Sequence, residues 1–110
     1  MTDKTDFIMV LTTVPDKTTG QKIARALVEK RNAACASLSS ACESTFWWKD
    51  RVQQETEYML HIKTTARLYS AVEQKIIDIH PYELPEIIAF PITKGSVPYL
   101  EWIESETLGD

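Results

Sequence analysis

Residues 7–14 read Phe-Ile-Met-Val-Leu-Thr-Thr-Val, a nearly unbroken run of apolar and β-branched side chains that stops at Pro15. A short run of this kind is typical of a central strand whose two faces are both covered. A helical pattern follows, and Thr18 with Gln21 three residues later resembles a capping box, which predicts that the helix begins near Thr18. The basic pair before Asn32 suits a helix end. The chain therefore opens with a strand and a helix.

The remaining pattern continues this strand and helix plan. A small apolar strand is predicted at 33–38, and a further extended region begins at 46–48. Residues 56–64 alternate between apolar and polar side chains, which indicates a half-buried strand. A second amphipathic helix leads into a strand at 86–92, and a short helix follows at 99–106. The order β-α-β-β-α-β predicts an α+β, ferredoxin-like sandwich with an extra C-terminal helix and both main helices on one sheet face.

Composition limits the class of protein. We interpret residues 1–110 as one domain with its core at about 7–105, because 110 residues suit a single core. Lys plus Arg number 12 against 16 Asp plus Glu, a net charge of −4 that argues against a nucleic-acid binder. No apolar window approaches the roughly 20 residues of a membrane span, and the polar first residues predict no signal peptide. The two cysteines are expected to be reduced, as in the cytoplasm.

A partner is predicted from the adjacent residues Trp47 and Trp48. Neighbouring residues of a strand point to opposite faces, so only one of the two rings can meet the helices. The other ring, together with Met59, would be exposed in a monomer. Exposed contiguous apolar surface usually marks an interface, and a second copy of the chain is the default partner. We therefore expect a homo-oligomer, although the sequence leaves open which tryptophan lies in the interface.

The segment 80–86, His-Pro-Tyr-Glu-Leu-Pro-Glu, is the densest group of candidate binding residues. Its two prolines stiffen a loop that could present Tyr82, Glu83 and Glu86 to a pocket, or form only a turn with solvated carboxylates. Lys63 also has two possible roles. A lysine at the end of a strand is either solvated or held as a buried functional ammonium. Both alternatives stay open at this point.

Few residues offer catalytic or metal chemistry. The sequence has no phosphate loop, dinucleotide fingerprint or nucleophile elbow, so the chain is not expected to be an enzyme. Cys35 lies in the apolar segment Ala-Ala-Cys-Ala, where a small buried core residue and a reactive or metal-binding thiol are the alternatives. His80 ends a helix, where its cationic form would meet the C-terminal dipole, and it is also a candidate metal ligand.

Six blocks of the sequence resemble the CutA family, the divalent-cation tolerance proteins, from about residue 7 to residue 105. The most specific block is the His-Pro-Tyr-Glu-Leu-Pro-Glu segment described above. The six blocks, in chain order, are 13–16, 33–36, 46–48, 62–65, 80–88 and 99–103.

The resemblance implies a tight cytoplasmic homotrimer with its sheets packed around the threefold axis. It also implies a role in tolerance of copper and other divalent cations, and weak copper binding is one prediction that follows. The family's bacterial copper ligands correspond to Thr12, Ile79 and His80 here, so only His80 keeps a metal-binding side chain, with Cys35 as a second candidate. A likeness of the trimer to the PII signalling proteins implies an alternative, a small-molecule sensor with its ligand cleft between subunits.

The resemblance also implies how the candidate residues would combine. We expect a pocket built from two subunits, in which Lys63 meets Tyr82, Glu86 and an aromatic ring of the 46–48 segment, with Cys35 deeper. An ammonium in such a cleft repels a bare cation and favours an anionic or zwitterionic organic ligand. Copper, in contrast, would be held by the softer ligands at His80 and Cys35.

Overall fold

The structure, a computed structural model, describes residues 6–108 and has the predicted order of elements. The elements are β1 (Phe7–Val14), α1 (Lys17–Glu29), β2 (Cys35–Trp48), β3 (Arg51–Thr65), α2 (Tyr69–Ile79), β4 (Ile87–Pro91) and α3 (Val97–Glu106). A 3-10 turn at Ala66–Leu68 precedes α2. All neighbouring strands are antiparallel, and the sheet order is β2-β3-β1-β4, which confirms the ferredoxin-like α+β fold.

The hydrophobic core lies between the sheet and the helices α1 and α2. Strand alternation sends every second residue of β1 and β3 towards the helices, where it meets the apolar stripe of each helix. At about 25 cal/mol per Å² of buried apolar area, this layer supplies the main favourable term in folding. The fully buried aliphatic residues of this cluster are Val10, Val14, Ile23, Leu27, Leu60, Ile62, Val72 and Ile76.

Helix α3 is attached to the rest of the subunit by ion pairs and one buried side chain. Ile103 is fully buried. Arg67 contacts Glu104 with an N···O distance of 3.1 Å, and Arg31 contacts Glu106 at 2.9 Å. These contacts hold α3 near the ends of α1 and β3, where the sequence had predicted only a short terminal helix.

The sheet surface opposite α1 and α2, called the open face below, carries two rows of side chains in register. Residues that are paired across antiparallel strands share one face of the sheet. The first row is Cys35, Lys63, Met9 and Phe90, and the second is Ser37, His61, Leu11 and Ile88. Phe90 is 45% exposed in the single chain. The apolar side chains of β1 and β4 on this face, Met9, Leu11, Ile88 and Phe90, agree with the expectation of a partner copy.

The β2–β3 hairpin is longer than the sequence indicated. The two predicted extended pieces are one strand, and a bulge between Leu38 and Ala41 lets the chain continue where a break was expected. At the bulge, the Met59 N–H donates a hydrogen bond to Ser39 Oγ at 3.0 Å. Residues 43–56, called the hairpin arm below, pair only with each other within the sheet. The cysteines on this strand are both free thiols, as predicted.

Two local expectations are wrong. The N-cap of α1 is Asp16 rather than Thr18, because the Asp16 carboxylate accepts a hydrogen bond from the Thr19 N–H at 2.7 Å. That bond lowers the pKa of the Asp16 carboxyl below 3.8. Neither tryptophan of the 47–48 pair is buried against the helices: Trp47 lies on the helix side of the hairpin yet is 73% exposed. The helices bury β3 only from about Tyr58 onwards, so the arm extends past them.

Candidate functional site

The loop after α2 is fixed to the sheet through His80. This side chain is 8% exposed, and its Nε2 lies 2.7 Å from the Thr13 carbonyl oxygen. The Tyr82 N–H donates to His80 Nδ1 at 3.2 Å. With Nδ1 accepting, the ring is the neutral Nε2–H tautomer that donates to Thr13. Both ring nitrogens are therefore engaged in holding the loop, and neither is free to bind a metal in this geometry.

A second anchor joins the loop to β3 through Tyr82. Its hydroxyl donates a hydrogen bond to Glu57 Oε2 at 2.8 Å, and Glu57 is only 5% exposed. Loss of solvent around the phenol raises the pKa of Tyr82, and the hydrogen bond to Glu57 and the negative charges of Glu57, Glu55 and Asp16 raise it further. The phenol is thus held as a neutral donor beside a carboxylate.

A groove of about 500 Å³ lies between the hairpin arm and this loop. Its walls combine aromatic rings with carboxylates, because Phe46 and Trp48 share the face of the hairpin on which Gln53 and Glu55 lie. Such a mixture of apolar walls and few polar groups is typical of small-molecule sites. The lining residues are Pro15, Phe46, Trp48, Gln53, Glu55, Pro81, Tyr82, Glu83 and Leu84.

The groove contains some of the candidate residues and omits others. Tyr82, Glu83 and Trp48 line it, whereas Trp47 lies on the other side of the hairpin and Glu86 is exposed just before β4. Sequence reasoning missed Glu55 and the buried Glu57. Their period-two spacing with Met59 places them on the same face of β3, which is a signal that the sequence did contain.

Lys63 lies in a different cluster at the other end of the open face. It pairs across the strands with Cys35 and with Met9. Lys63 and Glu57 are six positions apart on β3, a distance of about 20 Å at about 3.4 Å per residue. The Cys35 sulfur lies 3.7 Å from Ser37 Oγ. Burial raises the pKa of Tyr99 on α3, and its interaction with Cys35 raises it further, so α3 reaches this cluster.

The candidate copper ligands do not meet within one chain. His80 binds the Thr13 carbonyl, whereas Cys35 lies in the row of Met9, about 13 Å away along β1 at about 3.3 Å per residue. Thr12 is fully buried on the helix side, and its hydroxyl has no hydrogen-bond partner. Within residues 6–108, no group of three or more His, Cys, Asp and Glu side chains is arranged to hold a metal ion.

The same range contains no helix that is both long and apolar enough to cross a membrane.

Known proteins are similar to this chain in sequence and in fold. The family model described as CutA1 divalent ion tolerance protein matches residues 8–106. Protein CutA of Homo sapiens is 39% identical over 95 residues, which cover 86% of this chain and 53% of that protein. The divalent-cation tolerance protein CutA of Thermus thermophilus is 37% identical over 99 residues, covering 90% and 96% of the two chains. The crystal structure of CutA1 from Oryza sativa has a TM-score of 0.93 and 35% identity, and it covers 99% of this chain and all of that chain.

These matches differ in length. The chain spans just over half the length of the rice and human relatives. It covers nearly the whole of the bacterial relative and all of the rice chain in the crystal structure. The match therefore concerns the domain that all of them contain.

Proposed function

Because the chain belongs to the CutA1 divalent ion tolerance family, we propose that it contributes to cation tolerance indirectly, as a cytoplasmic homotrimer that senses a small organic ligand in a cleft between subunits. The observation that carries this proposal is the groove beside Tyr82, where a stiff loop, aromatic walls and carboxylates converge. What supports binding as the function is the combination of aromatic walls with a few polar groups, the mixture that small-molecule sites present.

The oligomer is supported by the open face. Its two rows present Met9, Leu11, Ile88 and Phe90 on the side away from α1 and α2. Packing this face against copies of itself would bury apolar area that a single small domain leaves in water. A closed ring of three subunits, as the family resemblance implies, would cover each open face in the same way.

The shared cleft is supported by the separation of the two clusters. Lys63 and Glu57 lie about 20 Å apart along one strand, so a small ligand cannot touch both ends within a single subunit. If Lys63 and Cys35 of one subunit face Tyr82, Glu83 and Glu86 of the next, the cleft joins an ammonium to carboxylates. A zwitterionic ligand would then find a counter-charge for each of its ends.

Mixed trimers test the shared cleft. Subunits carrying Lys63→Ala and subunits carrying Glu83→Gln are each expected to lose ligand affinity when assembled alone. In mixed trimers, some clefts combine an intact Lys63 with an intact Glu83 from the neighbour, so a fraction of tight sites should return in calorimetric titrations with arginine and glutamate as probes. Mixed trimers that never regain tight sites would show that no cleft is shared. A trimer that resists dilution to nanomolar concentration in mass photometry is the separate test of assembly.

Direct copper binding is the second candidate function, and the observation that favours it is the half-buried thiol of Cys35 beside Ser37. Thiolates suit copper better than carboxylates do. Anaerobic calorimetry with Cu⁺, the oxidation state that thiolates prefer, should lose its heat signal in Cys35→Ser, with Cys42→Ser as the matched control. Because both nitrogens of His80 are engaged, His80→Ala should leave the isotherm unchanged. A loss of signal in His80→Ala alone would show that the loop opens to bind the metal.

A further inference from the structure

The groove beside Tyr82 has a negative electrostatic character. Glu55 and Glu83 are the charged residues among those that line it, and Glu57 lies directly behind the Tyr82 hydroxyl. No lysine or arginine belongs to this lining within the described part of the chain. Lys49 and Arg51 lie beside Trp48 at the tip of the hairpin arm, but the charges of the lining itself are carboxylates, which attract a positive group and repel a negative one. The sequence had suggested an anionic or zwitterionic ligand, with Lys63 of another subunit facing these carboxylates; of these two, the charges of the groove itself favour a ligand that has a positive end.

The aromatic walls of the groove also favour a positively charged ligand group. Phe46, Trp48 and Tyr82 present three ring systems around it. The Lys49 ammonium already lies 5.7 Å from the centre of the Trp48 ring. Cations are attracted to aromatic faces within about 6 Å, with tryptophan the strongest partner. The protein's own side chain thus shows that this ring accepts an ammonium.

We propose that the groove recognises the cationic end of an organic ligand, an ammonium or guanidinium group on a short carbon chain. This inference rests on the proposed ligand-binding function and names the chemical class that the groove would take. A bare divalent ion fits less well, because it needs several ligand atoms converging on one point. Carboxylates spread along a groove with aromatic walls instead match a cation whose charge is spread over an organic group.

Calorimetry on the assembled protein tests this inference with spermidine and arginine as cationic probes and citrate as an anionic probe. We expect both cations to bind more tightly than citrate. Glu55→Gln and Glu83→Gln should each weaken spermidine binding by about tenfold, the effect of losing about 1.4 kcal/mol. Glu101→Gln, which removes the same charge from an exposed position on α3, should change the affinity less than about twofold. These variants alter surface carboxylates, so folding is not at risk.

A third variant is expected to have the opposite effect on spermidine affinity. Lys49→Met removes the resident cation beside Trp48, so it should tighten spermidine binding. Binding of citrate without either cation would overturn the inference and leave the proposed function standing. Equal weakening by Glu101→Gln and Glu83→Gln would overturn the inference as general charge attraction. Failure of all three probes to bind would overturn both the inference and the proposed ligand-binding function.

Discussion

The hydrogen bond from Tyr82 to Glu57 allows a quantitative prediction. Tyr82→Phe removes a single oxygen and keeps the ring, so it deletes the 2.8 Å bond and leaves the Glu57 carboxylate, 5% exposed, without that donor. A hydrogen bond to a charged group contributes about 1.5–3 kcal/mol. We therefore expect Tyr82→Phe to lower the free energy of unfolding by about 2 kcal/mol.

Urea denaturation at pH 7 and a fixed subunit concentration measures this loss, since the stability of an oligomer depends on concentration. The matched control is Tyr69→Phe. The Tyr69 hydroxyl also donates to a glutamate, Glu73 Oε2 at 3.2 Å, but between positions i and i+4 of helix α2. Such pairs are worth about 0.2–0.5 kcal/mol. A Tyr82→Phe variant within 0.5 kcal/mol of wild type, or no worse than Tyr69→Phe, would refute the reasoning.

The dependence on pH has a definite sign. Burial and Glu57 raise the pKa of Tyr82 above its ordinary value of 10.0. The protonated phenol is therefore favoured in the folded protein, and its contribution is fully present below about pH 10, the unfolded value. It is lost as the pH rises further. The difference between wild type and Tyr82→Phe should thus be constant near neutrality and shrink above about pH 10.

Three further outcomes are expected. Lys49→Asn with Asp50→Gly should raise the melting temperature in calorimetry, because both turn residues have positive φ, 52° and 64°, which Asn-Gly adopts more readily; no rise would contradict this account. Thr12→Val should gain about 1 kcal/mol in urea denaturation by removing a buried hydroxyl that has no partner; a loss would show an unseen partner. Asp16→Ala should lower the melting temperature at pH 7. The difference in melting temperature between wild type and this variant should shrink as the pH falls through the lowered pKa of Asp16, and equal differences at pH 7 and pH 2 would disprove the cap.

The elements of the fold were predictable because their signals are local. The apolar run 7–14 and the alternation at 56–64 each fall within one confirmed strand. The hairpin arm was not predictable in the same way, since small polar residues such as Ser39 and Ser40 are equally typical of a turn. In the structure, pairing with β3 carries β2 past them through a bulge. That pairing is a contact between distant parts of the chain, so no local pattern specifies it.

The site was only partly predictable for the same reason. Tyr82, Glu83 and Trp48 were recognised from their residue types, and all three line the groove. The position of Lys63 depends on strand register, which sets it opposite Cys35 and far from Glu57. Glu57 was overlooked because a glutamate in an alternating strand is ordinarily solvated.

The loop 80–86 was open to two interpretations, a binding element or a plain turn, and its anchors favour the first. His80 attaches it to β1 and Tyr82 attaches it to β3, through hydrogen bonds of 2.7 and 2.8 Å, and a third bond of 3.2 Å joins the two residues within the loop. A turn that only connects α2 to β4 does not need a buried carboxylate, whose desolvation opposes folding. A binding loop gains from the same arrangement, because no binding free energy is then lost in ordering the loop when a ligand binds. It follows that Tyr82→Phe should weaken both folding and ligand binding, whereas a plain turn would show only the first effect.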